Sequence, residues 1–199
     1  MVLDSRICYD SLSLLHSRIY SLNLSPDCGG GIGRTSQHLL SPLFKEVDLI
    51  EPTPKFVEKA KEIMKDNKKM ARYYQCGLEA WEPEAGRYNL IWCQWVLPHL
   101  TDDDLVAFFK RCIPALAPGG MIGVKENNSR DGFIMDKEDT SVTRTDAQFK
   151  AIFKRAGLKL VAEKLQTGFP KQLLPVRMYA LIPDPKAQEM VDVTVPADA

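Results

Sequence analysis

DCGGGIGR, residues 27–34, is the stretch whose reading decides the fold. Glycines stand at 29, 31 and 33, and an acidic residue, Glu51, closes the apolar run VDLIE at 47–51. Glycine lets backbone approach a ligand and adopt dihedrals that a Cβ forbids. A carboxylate after the next strand can accept hydrogen bonds from both ribose hydroxyls. Together they point to a nucleoside-cofactor site, with an ordinary tight loop as the alternative. The spacing separates the cofactors. A dinucleotide fingerprint wants G-x-G-x-x-G, whose third glycine allows close helix–strand packing. Counted from Gly29 that position is Arg34, and from Gly31 it is Ser36. The G-x-G-x-G pattern suits S-adenosylmethionine better than NAD.

Outward from this loop, strands and helices alternate. Residues 34–44 open a helix behind the glycine turn, which Pro42 ends or kinks. Strands are predicted over 47–51, 72–76, 88–93 and 121–124, with a turn at Pro118-Gly119-Gly120. Pro54 suits a first helical position, ahead of Phe56, Val57, Ala60, Ile63 and Met64 at helical spacing. Thr101 caps a helix to about residue 113, with three aspartates in its first turn. Residues 146–156 form a helix closed by Gly157, and 158–165 and 176–182 form a final pair of strands. Such alternation predicts an α/β, doubly wound, mostly parallel sheet with its ligand at the carboxyl ends of the strands. Glu51, Gly77-Leu78-Glu79, Gln94-Trp95 with His99, and Lys125-Glu126-Asn127 fall at those ends. Singly, Trp95 and His99 read equally well as core residues and Asn127 as a turn residue. Their joint placement favours function.

Composition bounds the partners. With 199 residues and 26 charges of each sign, the chain fits one domain and has no basic field to attract nucleic acid. Five cysteines are scattered without C-x-x-C or Cys/His spacing, so no metal is expected and a reducing cytoplasmic or nuclear setting is. No apolar run is long enough to span a membrane, and no secretory signal is evident. Three domain segments are expected. Residues 1–26 form an atypical N-terminal segment, 27–183 the folded domain and 184–199 a disordered tail.

DCGGGIGR, VDLIEPT, CGLEAW, YNLIWCQWVLPHLTD, APGGMIGVKEN and GFIMDKEDTSVTR follow one another in this order. In this the chain resembles the eukaryotic protein N-terminal methyltransferases, which act on proteins beginning Xaa-Pro-Lys. The resemblance runs from about residue 27 to 181. It implies a Rossmann-like class I methyltransferase with a seven-stranded sheet, helices on both faces and S-adenosylmethionine as cofactor. It places Gly29 and Arg34 at the cofactor's methionine part, with Gly31 and Gly33 also binding the cofactor, Glu51 at its ribose with Thr53 beside it, Leu78 and Glu79 at its adenine, and Gln94 in the pocket wall. On the substrate side it implies Trp95 against the second-position proline and Asn127 on the first residue's backbone. Asp136, Asp139 and Ser141 would line one acidic channel for the third-position lysine and the amine. His99 and Asp139, with Asn127, would be the catalytic groups. Unaided, Asp136, Glu138 and Asp139 are only a charge run, and most such runs are solvated faces.

The sequence departs from the family in four places. Glu79 stands where glutamine is common, and Leu174 where some relatives carry tyrosine. Only 26 residues precede Asp27, without the family's aromatic pair, which implies a shortened N-terminal cover. Pro26 implies a degraded first strand, because proline removes a ladder donor. Two alternatives stand beside the main reading: a small-molecule methyltransferase on the same fold, and an inactive, truncated relative acting as a binding protein.

Overall fold

A computed structural model describes residues 22–168, 170 and 172–187. Expectations that fall on residues 1–21 and 188–199 lie outside the described residues. The chain runs through β1 (Leu24–Cys28), a wide helical turn (Ser36–Leu40), α1 (Ser41–Leu43), β2 (Glu46–Ile50), α2 (Pro54–Ile63), β3 (Met70–Tyr74) and β4 (Tyr88–Gln94). It continues through a 3-10 turn (Leu97–His99), α3 (Asp102–Ala115), β5 (Leu116–Asn127), β6 (Ile134–Asp136), β7 (Ser141–Thr143), α4 (Asp146–Arg155), β8 (Leu158–Leu165) and β9 (Val176–Pro183). Among the described residues one seven-stranded sheet forms in the order β3-β2-β1-β4-β5-β9-β8. The pairs β3–β2, β2–β1, β1–β4 and β4–β5 are parallel, and β9 runs antiparallel between β5 and β8. Strand order reverses between β1 and β4, so a crevice opens at their carboxyl ends.

Central parallel strands are buried on both faces, which is why β4 reads YNLIWCQ without polar alternation and is buried at every residue. One face carries α3 and α4, whose Phe109 and Phe153 rings meet at 5.5 Å and lead on to Tyr179 at 5.3 Å. The other face packs Leu39, Leu40 and Phe44 on Leu90, Trp92 and Met121. Thr101 accepts from the Asp104 N–H at the start of α3, as expected. At α4 the cap is a full capping box, Thr145 with Gln148. The turn at residues 118–120 proves to be a bulge inside β5: Leu116 pairs with Tyr88, and the next pair is Met121 with Leu90.

The degraded first strand is a correction. β1 forms, is buried throughout, and pairs with β2 at all five residues, Pro26 included. It begins at Leu24, ahead of the boundary expected at Asp27. Backbone groups alternate sides along a strand. The Leu24 N–H points to β4, where Asn89 Oδ1 accepts it at 3.2 Å. Pro26, two residues on, turns its missing donor to that same side, where pairing is confined to Asp27 and Cys28. The ladder therefore loses no bond to β2. Pro42 acts as expected in a different way: the Ser41 N–H reaches back to Ser36 O, widening the turn just ahead of the proline.

Candidate functional site

The glycine loop leaves β1 with positive φ at Gly29 (69°), Gly31 (55°) and Gly33 (85°). A Cβ on Gly29 would lie 2.3 Å from Val96 Cγ2, and one on Gly33 2.4 Å from Met64 Cε. At Gly31 nothing lies within 4 Å, so there the glycine leaves open space. Glu51, buried at the end of β2, holds this loop: Oε2 accepts the Gly31 N–H at 3.0 Å and Oε1 the Thr53 N–H at 2.9 Å. Asp27 lies beneath, accepting the Ser36 hydroxyl at 2.7 Å. Burial pushes its carboxyl up to about 7 against the opposing pull of Ser36. Arg34 is exposed on the first helical turn, and Thr53 is half-buried before α2.

The residues expected at the adenine lie in a loop at 77–81. Leu78 is buried and Glu79 exposed. Arg111 of α3 donates to the carbonyls of Leu78 (2.8 Å), Glu79 (2.9 Å) and Trp81 (3.1 Å), fixing the loop from outside. Gln94 is buried, and its Oε1 accepts the Trp92 indole N–H at 3.3 Å, so the amide is tied to the strand on the cofactor side. The cradle fits an S-adenosyl group: open space at Gly31, a carboxylate at the end of β2 and a fixed loop beyond β3.

Beside it lies a cleft of about 490 Å3 into which Trp95, His99, Asn127, Asp139 and Ser141 converge from three segments: loop 95–100, the end of β5 and the β6–β7 ribbon. Val96, packed on Gly29, joins the two halves. Trp95 has φ 53°, a left-handed conformation rarely adopted by large side chains, and is 37% exposed with Lys125 Nζ 5.8 Å from its ring centroid. Asn127 faces the cleft, whereas its neighbour Asn128 turns into the core and accepts the Tyr179 hydroxyl at 3.2 Å. Leu174 also lines the cleft.

One expected member is placed differently. Asp136 does not line this cleft; it lines an adjoining pocket of about 380 Å3 that shares His99 and Ser141 as its wall. Its Oδ1 accepts the N–H groups of Glu138 (2.9 Å) and Asp139 (3.1 Å), closing the turn between β6 and β7. Of the two ribbon acids, Asp139 lines the cleft and Asp136 the adjoining pocket, where it also shapes the turn. The ribbon of β6 and β7 was itself not foreseen, because apolar Ile134, Met135 and Val142 around a polar turn make a short signal.

Glu126 was expected only as one of the residues at the strand ends, and Arg144 was not singled out. Glu126 is fully buried, lines the cleft, and accepts the N–H groups of Val96 (2.8 Å) and Leu97 (3.0 Å) at Oε1. Burial pushes its carboxyl up to about 8, against those amides and the nearby Arg144. A charged pair, Lys125-Glu126, closing the apolar run MIGV was the available signal.

A family described as AdoMet dependent proline di-methyltransferase matches residues 11–182. The chain belongs to this family. It is 44% identical to the alpha N-terminal protein methyltransferase 1 of Schizosaccharomyces pombe, over 92% of this chain and 82% of that protein. With the N-terminal Xaa-Pro-Lys N-methyltransferase 1-B of Xenopus laevis it shares 43%, over 78% of this chain and 70% of that one. Of the Arabidopsis thaliana relative it spans 59%. A solved S-adenosylmethionine-dependent methyltransferase from Leishmania major superposes with a TM-score of 0.83 at 35% identity, covering 89% of this chain and 72% of that one. The S-adenosylmethionine expectation from the glycine spacing, and the Rossmann-like methyltransferase fold, are those of this family.

Proposed function

We propose that this chain transfers methyl groups from S-adenosylmethionine to the free α-amino group of proteins beginning Xaa-Pro-Lys. The observation that carries the reading is the convergence of Trp95, His99, Asn127, Asp139 and Ser141 on one cleft that abuts the glycine loop. The Xaa-Pro-Lys terminus for which the Xenopus laevis relative is named has the chemistry this cleft suits.

When bound, the cofactor supplies an electrophilic methyl group. Gly31, Glu51, Thr53 and Leu78 would hold it, with Arg34 for its carboxylate. The protein's remaining task is to present a lone pair in line. An α-amine with a pKa of about 7.7 to 8.0 enters largely protonated near neutral pH. Asp139 attracts the ammonium and the third-position lysine; that same attraction favours the charged form and so opposes attack. His99 or Asp139, both lining the cleft, takes the proton once the chain is docked. The exposed face of Trp95 packs on the proline ring, and the Asn127 amide receives the first residue's backbone. The reading also proposes a cytosolic and nuclear setting, which four free cysteines among the described residues suit.

The test is turnover with labelled cofactor on an Xaa-Pro-Lys peptide and on its N-acetylated copy. Label entering the free peptide alone is the expected result. Equal labelling of the two, or none in either, contradicts the proposal.

A further inference from the structure

Loop 95–100 carries both the aromatic wall of the cleft and His99, yet it contains no strand or long helix to hold it. Its backbone is held instead by two buried ionisable residues from different segments, Glu126 and Arg144. From β5, Glu126 Oε1 accepts the Val96 and Leu97 N–H groups, while the Trp95 N–H goes to Lys125 O at 3.1 Å. Just past β7, Arg144 is 3% exposed and donates to the Leu100 carbonyl at 2.7 Å and the Leu97 carbonyl at 3.4 Å. The same guanidinium reaches Val142 O at 3.4 Å and Asp102 Oδ1 at 2.7 Å. One residue therefore takes the loop's donors and the other its acceptors. Arg144 additionally ties the loop to the ribbon that carries Asp139 and Ser141.

We propose that Glu126 and Arg144 are positioning residues that set the pose of Trp95 and the spacing of His99 from the Asp139 ribbon. Both act through the loop, by the hydrogen bonds they make to its backbone. The left-handed Trp95 backbone supports this, because such a conformation persists only where its surroundings over-determine it. Three amides in a row, those of Trp95, Val96 and Leu97, are fixed by two adjacent residues of β5. Glu126 Oε2 has no hydrogen-bond partner among the described residues. The side chain thus serves the loop through one oxygen only, and an amide of the same shape keeps that oxygen. A lysine at 144 has one compact ammonium and no fork, so it cannot span three carbonyls and a carboxylate.

The proposal rests on the peptide reading for its kinetic arm and not for its spectroscopic one. Trp81 and Trp92 are each 1% exposed, so iodide quenching of tryptophan fluorescence reports Trp95. The experiment compares E126A, E126Q and R144K with the parent in the full chain. Quenching without any ligand, peptide kcat and KM, and calorimetric affinity for S-adenosylhomocysteine are measured on each. In E126A and R144K the quenching constant changes, and peptide kcat/KM falls about tenfold to a hundredfold, the scale of lost positioning. Cofactor affinity falls much less, and E126Q restores most of what E126A loses. Should E126A fail to fold, R144K carries the same two readouts. Parental quenching in R144K overturns the proposal, whether or not any peptide is methylated. So does an E126Q as impaired as E126A, or a cofactor affinity that falls as far as peptide kcat/KM. A parent that methylates no peptide, but whose R144K variant shows altered quenching, overturns the peptide reading alone.

Discussion

Both oxygens of Glu51 are committed to backbone, one to the Gly31 N–H and one to the Thr53 N–H. A ribose must therefore share a carboxylate that is also shaping the loop. Glu51→Ala removes both acceptors at once, and each hydrogen bond to a charged group contributes about 1.5 to 3 kcal/mol. Calorimetry with S-adenosylhomocysteine should show affinity lost by at least about tenfold, with Glu51→Gln, which keeps one accepting oxygen, in between. A folded Glu51→Ala chain of parental affinity removes Glu51 from the site. The two ribbon aspartates differ in the same concrete way. Asp139 lines the cleft, whereas Asp136 caps the turn beside it. Asp139→Asn should cut turnover while leaving cofactor affinity in place. Asp136→Asn, whose Oδ1 still accepts both amides, should be much milder than Asp136→Ala. Asn variants that are equally impaired would return Asp136 to the cleft.

Elements were legible where pattern is local. The Thr101 cap, the helix closed by Gly157 at φ 80° and the parallel strands all follow from spacing and end signals. Pro26 misled because a sequence shows that a donor is missing and does not show which neighbour it faces. The β6–β7 ribbon, three residues a side, is too short to declare a period. At the site, the glycines, Glu51, Trp95, His99, Asn127 and Asp139 were legible from strand ends and resemblance. Arg144 and the loop-holding role of Glu126 were not, because most of their partners are groups 29 to 47 residues away. The capping box at α4 gives this scale its own test. Thr145 Oγ1 accepts the Gln148 N–H at 3.1 Å, and Gln148 Oε1 accepts the Thr145 N–H at 2.9 Å. Thr145→Ala should lower stability by about 0.5 to 2 kcal/mol in urea unfolding, since it removes an N-cap next to Arg144. No loss would mean that the helix start is held by packing alone.

Over the whole molecule, two buried acids tie stability to pH. Burial raises Asp27 to about 7 and Glu126 to about 8. A raised carboxyl means that the folded chain keeps a proton the unfolded chain has lost. Its contribution is fully present below the unfolded pKa of about 4, and is lost as pH rises to the folded value. Each pH unit in that window costs about 1.4 kcal/mol per group as an upper scale. Glu126→Gln, which cannot ionise, should therefore gain stability relative to the parent as pH rises from about 5 to 8. A stability difference flat across that range would show that Glu126 titrates normally.

In the proposed reaction one cleft, beside the glycine loop on which Val96 packs, presents an α-amine for methylation. Tandem mass spectrometry of an Xaa-Pro-Lys peptide after reaction tests it most directly, because that peptide offers two amines, at its N-terminus and on its lysine. Methyl groups are expected on the α-amine only, and in much lower yield when Asp139 is replaced by Asn. Methyl groups on the lysine side chain, or no methylation by a folded chain that binds S-adenosylhomocysteine, would contradict it.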